Sequence, residues 1–186
     1  MAPPRANRFE AVALRLAQIL GEGECLLAGG LAVIAHGYVR ATQDVDLVTR
    51  LPLREVRERL VRKHVRASLK RGDPLEGDFA CVKGVLAGIP FDVLPELVPV
   101  AWDAALPVFR GPGAALSVVD LDSLIRLKLK AQGHHDLMDV AMLVLLHPET
   151  RRAALAGAAA YRIRDRLEAW LKDSRLRGQA REEKRR

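Results

Sequence analysis

Residues 27–47 read LAGGLAVIAHGYVRATQDVDL and contain the most informative local pattern of the chain. A short apolar run ends just before the glycine pair Gly29-Gly30, and residues 31–38 have the composition of a short helix. Polar and apolar residues then alternate over residues 43–48, which is typical of a strand. The segment therefore predicts a buried strand, a glycine turn, a short helix and a second strand in succession.

The second of these strands carries two carboxylates, Asp44 and Asp46. Side chains two residues apart on a strand point to the same face, with Cα atoms about 6.5–7 Å apart. Two like charges on one face repel each other, and a divalent cation relieves that cost. Carboxylate oxygens suit Mg²⁺ or Mn²⁺, which in turn bind triphosphate oxygens. The alternative is structural: Asp44 ends the strand, and Asp46 pairs with Arg40.

A third carboxylate, Asp92, lies in the predicted strand Ile89–Leu94. If this strand lies beside residues 43–48, Asp92 joins the same cluster and can bind metal or accept the proton of an incoming hydroxyl. The glycine pair adds a second feature, because a strand-to-helix turn without side chains lets the backbone approach a phosphate. The sequence thus predicts metal-binding carboxylates next to a phosphate-binding turn.

The rest of the chain predicts a mixed α/β (α+β) N-terminal part, residues 1–117, followed by a helical region, residues 118–173, and a basic tail, residues 174–186. Two strands, residues 79–86 and 89–94, form a hairpin, and the prolines at 95, 99, 107 and 112 make residues 95–115 a loop with at most one short strand. Further helices are predicted over residues 7–20, from Leu53 onward as a basic helix, over 121–132, over 137–146, and once or twice within 149–172.

The net charge of +7 is unevenly distributed. Residues 54–71 carry a net +6 and residues 172–186 a net +4, which favours polyanionic partners such as RNA. The alternative is a solvated helix face and a frayed tail, since no aromatic residues are interleaved with these charges. Cys25 and Cys81 lie in apolar segments and are expected to be buried thiols, and no secretory or membrane-spanning pattern is visible. The expected compartment is the cytoplasm, without membrane contact.

With these residues in place, the chain resembles the nucleotidyltransferase superfamily, whose fold is that of DNA polymerase beta. The resemblance covers residues 25–146: Gly29-Gly30, then Asp44-x-Asp46, then the strand-borne Asp92, and downstream Lys128 followed by Asp136-x-x-Asp139. It is nearest to the minimal bacterial nucleotidyltransferases, in the group that contains abortive-infection toxins of toxin–antitoxin systems. It implies a nucleotidyltransferase core, with a small mixed sheet flanked by helices, and a C-terminal helical bundle.

The resemblance also implies a reaction: Mg²⁺-dependent transfer of a nucleoside monophosphate from a nucleoside triphosphate (NTP) to an acceptor hydroxyl. Three carboxylates, Asp44, Asp46 and Asp92, would be catalytic metal ligands. Four further residues would bind the NTP: Gly29, Gly30, Arg40 and Lys128. The acceptor would be RNA or tRNA in a toxin-like enzyme with a cognate antitoxin; the alternatives are a small antibiotic-type molecule, or a nucleotide-binding regulator without turnover.

Two positions depart from the family pattern. Leu31 replaces the Ser or Thr that often follows the glycine pair, and His134-His135 replaces a lysine before Asp136. The spacing of His134, His135 and His147 does not fit a zinc site, and no cysteine lies near them. Asp136 is expected to be the N-cap of the next helix, and His36 to pack or cap rather than act in catalysis.

Overall fold

The computed structural model describes residues 5–72 and 79–185. The first four residues, where no secretory pattern is visible, and the last residue of the predicted tail lie outside these ranges. Within the described ranges are eight α-helices and seven strands, which follow one another along the chain as α1 (Arg5–Leu20), β1 (Cys25–Leu27), α2 (Gly29–Ala35), β2 (Val45–Thr49), α3 (Leu53–Arg62), β3 (Ala67–Lys70), β4 (Cys81–Leu86), β5 (Ile89–Pro95), β6 (Leu106–Gly111), β7 (Ala114–Val118), α4 (Leu121–Ala131), α5 (His134–Leu146), α6 (Arg151–Ala160), α7 (Arg164–Lys172) and α8 (Ser174–Glu183).

The strands form one mixed sheet in the order β3-β4-β5-β2-β1-β7-β6. Two neighbouring pairs are parallel, β2 with β5 and β1 with β7, and the other pairs are antiparallel. The pairing of β2 with β5 is the one that the predicted carboxylate cluster requires. The expected α/β (α+β) class with a small mixed sheet flanked by helices is therefore confirmed.

One apolar core joins the sheet to the helices. Val45 and Leu47 of β2 are completely buried, and alternation along the strand directs Asp46 to the other face. Helices α1 and α3 pack against the sheet and each other, whereas α2 packs on β2 and α4. Helix α5 contacts α4, α7 and α8, so the C-terminal helices continue the same core.

The tail is helical up to Glu183, because Asp173 caps α8 and two residues of this helix are buried. The Asp173 carboxylate accepts hydrogen bonds from the backbone N–H groups of Arg175 and Leu176. Leu176 is 7% exposed and Ala180 is 4% exposed. Among the described residues, no helix is long and apolar enough to cross a bilayer.

Two expectations are wrong. Residues 95–115 are not a loop, because β6 and β7 form a hairpin there; Pro107 is accommodated because β6 is the edge strand and a register shift lies between Pro107 and Phe109. Asp136 is not an N-cap either, since α5 begins one residue after Gly133. Asp136 lies in the first turn, where its carboxylate accepts a hydrogen bond from the Gly133 N–H group at 3.2 Å.

Candidate active site

The three predicted metal ligands lie on one region of the sheet. Asp46 and Asp92 are direct register partners on the parallel strands β2 and β5, and such strands run about 4.8 Å apart. Asp44 immediately precedes β2, and its Oδ1 accepts a hydrogen bond from the Thr42 hydroxyl at 3.2 Å. Partly buried carboxylates are thus grouped at the same sheet face, as the sequence pattern requires.

The glycine pair makes room for Asp46. A Cβ atom at Gly29 would lie 1.7 Å from Asp46 Oδ2, and Gly29 has a φ of +59°. Any side chain at this position would displace the carboxylate, and the backbone conformation also favours glycine. The Gly30 N–H group donates a hydrogen bond to Asp46, so the turn holds this carboxylate in place.

Burial and neighbouring charges make Asp46 a poor acid. Desolvation, reinforced by the charges of Asp44 and Asp92, raises the pKa of Asp46 to about 6, although Lys128 and the Gly30 N–H group favour its charged form. A site that crowds anionic oxygens in this way stabilises a bound cation. The chemistry of the donor set, all carboxylate oxygen, fits Mg²⁺ or Mn²⁺.

Asp92 already has a positive partner. Lys83 lies opposite Asp92 in the β4–β5 hairpin, and its Nζ is 2.5 Å from Asp92 Oδ2. In the part of the chain that the structure describes, no three His, Cys, Asp or Glu side chains converge as a ready-made metal site. An ammonium group therefore stands at one of the carboxylates that the sequence assigns to metal.

Arg40 binds a carboxylate 99 residues away. Its Nε and Nη2 donate to the two oxygens of Asp139 at 2.7 and 2.8 Å, and the Asp139 side chain is completely buried. The structure thus does not pair Arg40 with Asp46, the structural alternative considered from the sequence. A role of Arg40 in phosphate binding stays a prediction.

Lys128 is 8% exposed and lies between two carboxylates of α5. Its Nζ is 2.7 Å from Asp136 Oδ1 and 3.0 Å from Asp139 Oδ2, and these charges raise its pKa against the opposing effect of burial. These carboxylates therefore favour the charged form of Lys128, and that charge in turn lowers the pKa of Asp46.

A cavity of about 160 Å³ brings Asp46 together with Lys128, whereas Asp44, Asp92 and Arg40 are not among the described residues of its lining. Strand β2 contributes Asp46, the glycine turn contributes Gly29, and the helical region contributes Lys128 and Asp136. The other walls are mainly apolar and comprise Ala28, Val48, Phe79, Leu94, Leu97, Leu124, Leu127 and Ala131. The cavity can hold an apolar ring next to charged groups.

The histidines take no part in this cavity. His36 Nε2 forms a hydrogen bond with the backbone oxygen of Val119 at 2.8 Å, and His147 Nε2 with that of His36 at 2.9 Å. His134 and His135 lie in the exposed first turn of α5.

Comparison with solved structures identifies proteins of similar fold. The antibiotic-resistance factor ANT(2″)-Ia, solved in complex with adenylyl-2″-tobramycin, has a TM-score of 0.56 and 13% identity, with 85% of this chain and 98% of that chain covered. A Thermotoga maritima protein described as a nucleotidyltransferase has a TM-score of 0.51 and 13% identity, with 69% and 86% covered. This chain has the nucleotidyltransferase fold. No protein-family model matches the sequence, and no curated protein matches it significantly.

Within this nucleotidyltransferase fold, two contacts were missed from the sequence. Lys83 was recoverable, since a two-residue Ala87-Gly88 turn fixes the hairpin register and places residue 83 opposite Asp92. The pairing of Arg40 with Asp139 has no local signal, because it depends on how α5 packs.

Proposed function

We propose that the chain is a metal-dependent nucleotidyltransferase that moves a nucleoside monophosphate from an NTP to an acceptor hydroxyl. The observation that carries this proposal is the register pairing of Asp46 with Asp92, with Asp44 on the same face and the Gly29 turn against Asp46. The negative charges of such a row repel one another and destabilise the fold in the absence of a cation. A purely structural role would not compensate for this repulsion.

In this mechanism Asp44, Asp46 and Asp92 would hold Mg²⁺ or Mn²⁺. The bound metal supplies positive charge that stabilises the attacking and leaving oxygens during an in-line displacement. Asp92 orients the acceptor and takes its hydroxyl proton. The acceptor oxygen bonds to the α-phosphorus, the bond from that phosphorus to the bridging oxygen breaks, and pyrophosphate leaves.

The neighbouring groups bind and position the NTP. Gly29 and Gly30 let the backbone approach the β- and γ-phosphates. Lys128 and Arg40 are the cations that we assign to the triphosphate, which would share them with their carboxylate partners Asp136 and Asp139. The apolar walls contributed by α4 and β5 suit the nucleoside, because a base buries its ring against such surfaces.

RNA, including tRNA, is the acceptor that we favour. A second cavity of about 340 Å³ is lined by Thr42 and Gln43, which directly precede Asp44, and by Arg8 and Phe9 of α1, together with Gly88 and Ile89. Its described lining carries a cation and no carboxylate, which suits an anionic acceptor better than a cationic antibiotic. The basic helix α3 adds attraction for a polyanion.

The small-molecule alternative is favoured by one observation, the likeness in fold to ANT(2″)-Ia. In the RNA version, the enzyme acts as a cytoplasmic toxin-like effector, and a cognate antitoxin would be its protein partner. A nucleotide-binding regulator without turnover is the remaining alternative, and the intact carboxylate row argues against it.

The test is a transfer assay with each α-labelled NTP, Mg²⁺ or Mn²⁺, total cellular RNA and a pool of small metabolites. The matched control is Asp46→Asn, which keeps the shape of the side chain and removes its charge. Label that appears in RNA with the wild type and not with Asp46→Asn supports the RNA proposal. Label that appears in a small molecule instead selects the small-molecule alternative. Absence of transfer from every NTP, with equal NTP binding by both proteins, contradicts the enzymatic proposal.

A further inference from the structure

Lys83 belongs to a row of side chains that crosses four neighbouring strands. Register pairs link Ser68 of β3 to Lys83 of β4, Lys83 to Asp92 of β5, and Asp92 to Asp46 of β2. Directly paired residues in a sheet point to the same face. Lys83 is thus the residue next to the carboxylate row on the side away from β2.

The contact between Lys83 and Asp92 occupies one of the two oxygens of a carboxylate that we assign to metal binding. The Nζ–Oδ2 distance is 2.5 Å, and the Asp92 side chain is 24% exposed. An ammonium group is a compact cation that donates hydrogen bonds to carboxylate oxygens, so its positive charge neutralises the carboxylate as a metal ion would. The oxygen that accepts from Lys83 has less electron density left for a second cation, and the ammonium charge repels a cation that approaches the other oxygen.

The described residues contain no converging set of three potential ligands, although Asp46 and Asp92 are register partners. The carboxylates are therefore brought side by side by the backbone, while one of them is engaged elsewhere by its side chain. The Lys83 side chain is 47% exposed, so the ion pair lies partly in solvent, where a dissolved cation can reach it.

We propose that Lys83 is an internal counter-ion of Asp92 that a divalent cation must displace before the site assembles. Lys83 is thus a positioning residue that lowers the affinity of the empty site for metal and relieves the repulsion among its carboxylates. This inference rests on the proposed metal-dependent function. It concerns the chain without nucleotide, so it can be measured without turnover.

The experiment measures Mn²⁺ binding in the absence of nucleotide, by the electron paramagnetic resonance signal of free Mn²⁺. Lys83→Gln removes the competing charge. Lys70→Gln is the matched control, because Lys70 is an exposed lysine of β3 whose register partner is Cys81. Lys83→Arg keeps a cation at the position, Asp46→Asn identifies the site, and thermal melting verifies that each variant is folded.

We expect Lys83→Gln to bind Mn²⁺ about three- to fivefold more tightly than the wild type, which is the scale of a partly exposed ion pair. Lys70→Gln and Lys83→Arg should stay within about twofold of the wild type. Equal or weaker binding by Lys83→Gln overturns the inference, and so does an equal gain in both Gln variants, which would show a general charge effect. If no protein binds Mn²⁺ in a way that depends on Asp46, both the proposed metal function and the inference about Lys83 fail. If Asp46-dependent binding is present but Lys83→Gln does not tighten it, only the inference fails.

Discussion

Arg40 and Asp139 form a two-pronged ion pair that fastens the segment before β2 to helix α5. Arg40 Nε and Nη2 each reach one Asp139 oxygen, at 2.7 and 2.8 Å, and Lys128 approaches the Oδ2 atom at 3.0 Å. Asp139 is completely buried, so it depends on these two cations for compensation of its charge. The contact joins the sheet that carries the carboxylates to the helices that close the cavity.

The first prediction concerns this pair. Asp139→Ala leaves Arg40 and Lys128 without their shared buried partner, and we expect a loss of about 3–5 kcal/mol in the free energy of unfolding. Glu149→Ala is the control, because the Glu149 side chain is 70% exposed and its loss should cost less than about 0.5 kcal/mol. Urea denaturation measures both. Equal stability of the two variants would show that the pair is not a structural contact.

The second prediction concerns the glycine turn. Gly29→Ala places a methyl group 1.7 Å from Asp46 Oδ2 at a φ of +59°, so the carboxylate must move. We expect at least a tenfold loss of transfer, since displacements of about 1 Å at a reacting centre already cost as much as 100-fold. Gly178→Ala in α8 is the matched control, because no atom lies within 4 Å of the added methyl group. It should keep full transfer and gain about 0.5–1 kcal/mol of stability. Retained transfer in Gly29→Ala would remove this turn from the site.

The third prediction concerns the cost of the carboxylate row. The pKa of Asp46 is raised to about 6, mainly by burial and by Asp44 and Asp92. Because the folded pKa exceeds the unfolded value, the protonated form favours folding, and this stability is lost as the pH rises from about 4 to 6. Without metal, Asp46→Asn should therefore be more stable than the wild type at pH 7.5, by about 1–3 kcal/mol.

That difference should shrink as the pH falls from 6 to 4, where the wild-type carboxyl also becomes neutral. Denaturation curves of the two proteins at pH 7.5 and 4.5 make the comparison. Transfer by the wild type should weaken as the pH falls, because protons compete with the cation for Asp46, and a higher metal concentration should restore it. A variant less stable than the wild type at both pH values would contradict the electrostatic account.

The fourth prediction concerns α8. Leu176 is 7% exposed, and we expect Leu176→Ala to cost about 2–3 kcal/mol, near the lower end for a buried leucine. Arg175→Ala is the neighbouring exposed control and should stay within about 0.5 kcal/mol of the wild type. Equal thermal midpoints in the two variants would mean that α8 is not docked on the core.

Much of this molecule is predictable from local patterns, and the exceptions have identifiable causes. The two-residue spacing of Asp44 and Asp46 reveals their shared face, and the hairpin turn at Ala87-Gly88 appears in the structure as predicted. Strand β6 is not predictable from the sequence, because Pro107 argues against a strand there. The proline is tolerated only because β6 is an edge strand of the sheet.

Interactions between distant segments explain the remaining differences. The phosphate-binding role of the glycines at 29 and 30 stays a prediction, and the structure shows a different constraint, namely that the closeness of Asp46 requires Gly29. Arg40 carries the same charge in either role, so its sequence context cannot distinguish a phosphate contact from its pairing with Asp139. Such contacts depend on packing between elements far apart in the chain.

The position of β1 in the sheet has a consequence for synthesis on the ribosome. Leu27 of β1 pairs with Leu47 of β2 on one side and with Val118 of β7 on the other. The row of Asp46 and Asp92 can form as soon as β5 has been synthesised. One edge of β1 has no partner strand until β7 follows, and Arg40 cannot pair with Asp139 until α5 has also been synthesised. A nascent chain in which β5 has emerged and β7 has not therefore has an apolar strand edge without its partner, and such edges favour aggregation and chaperone binding.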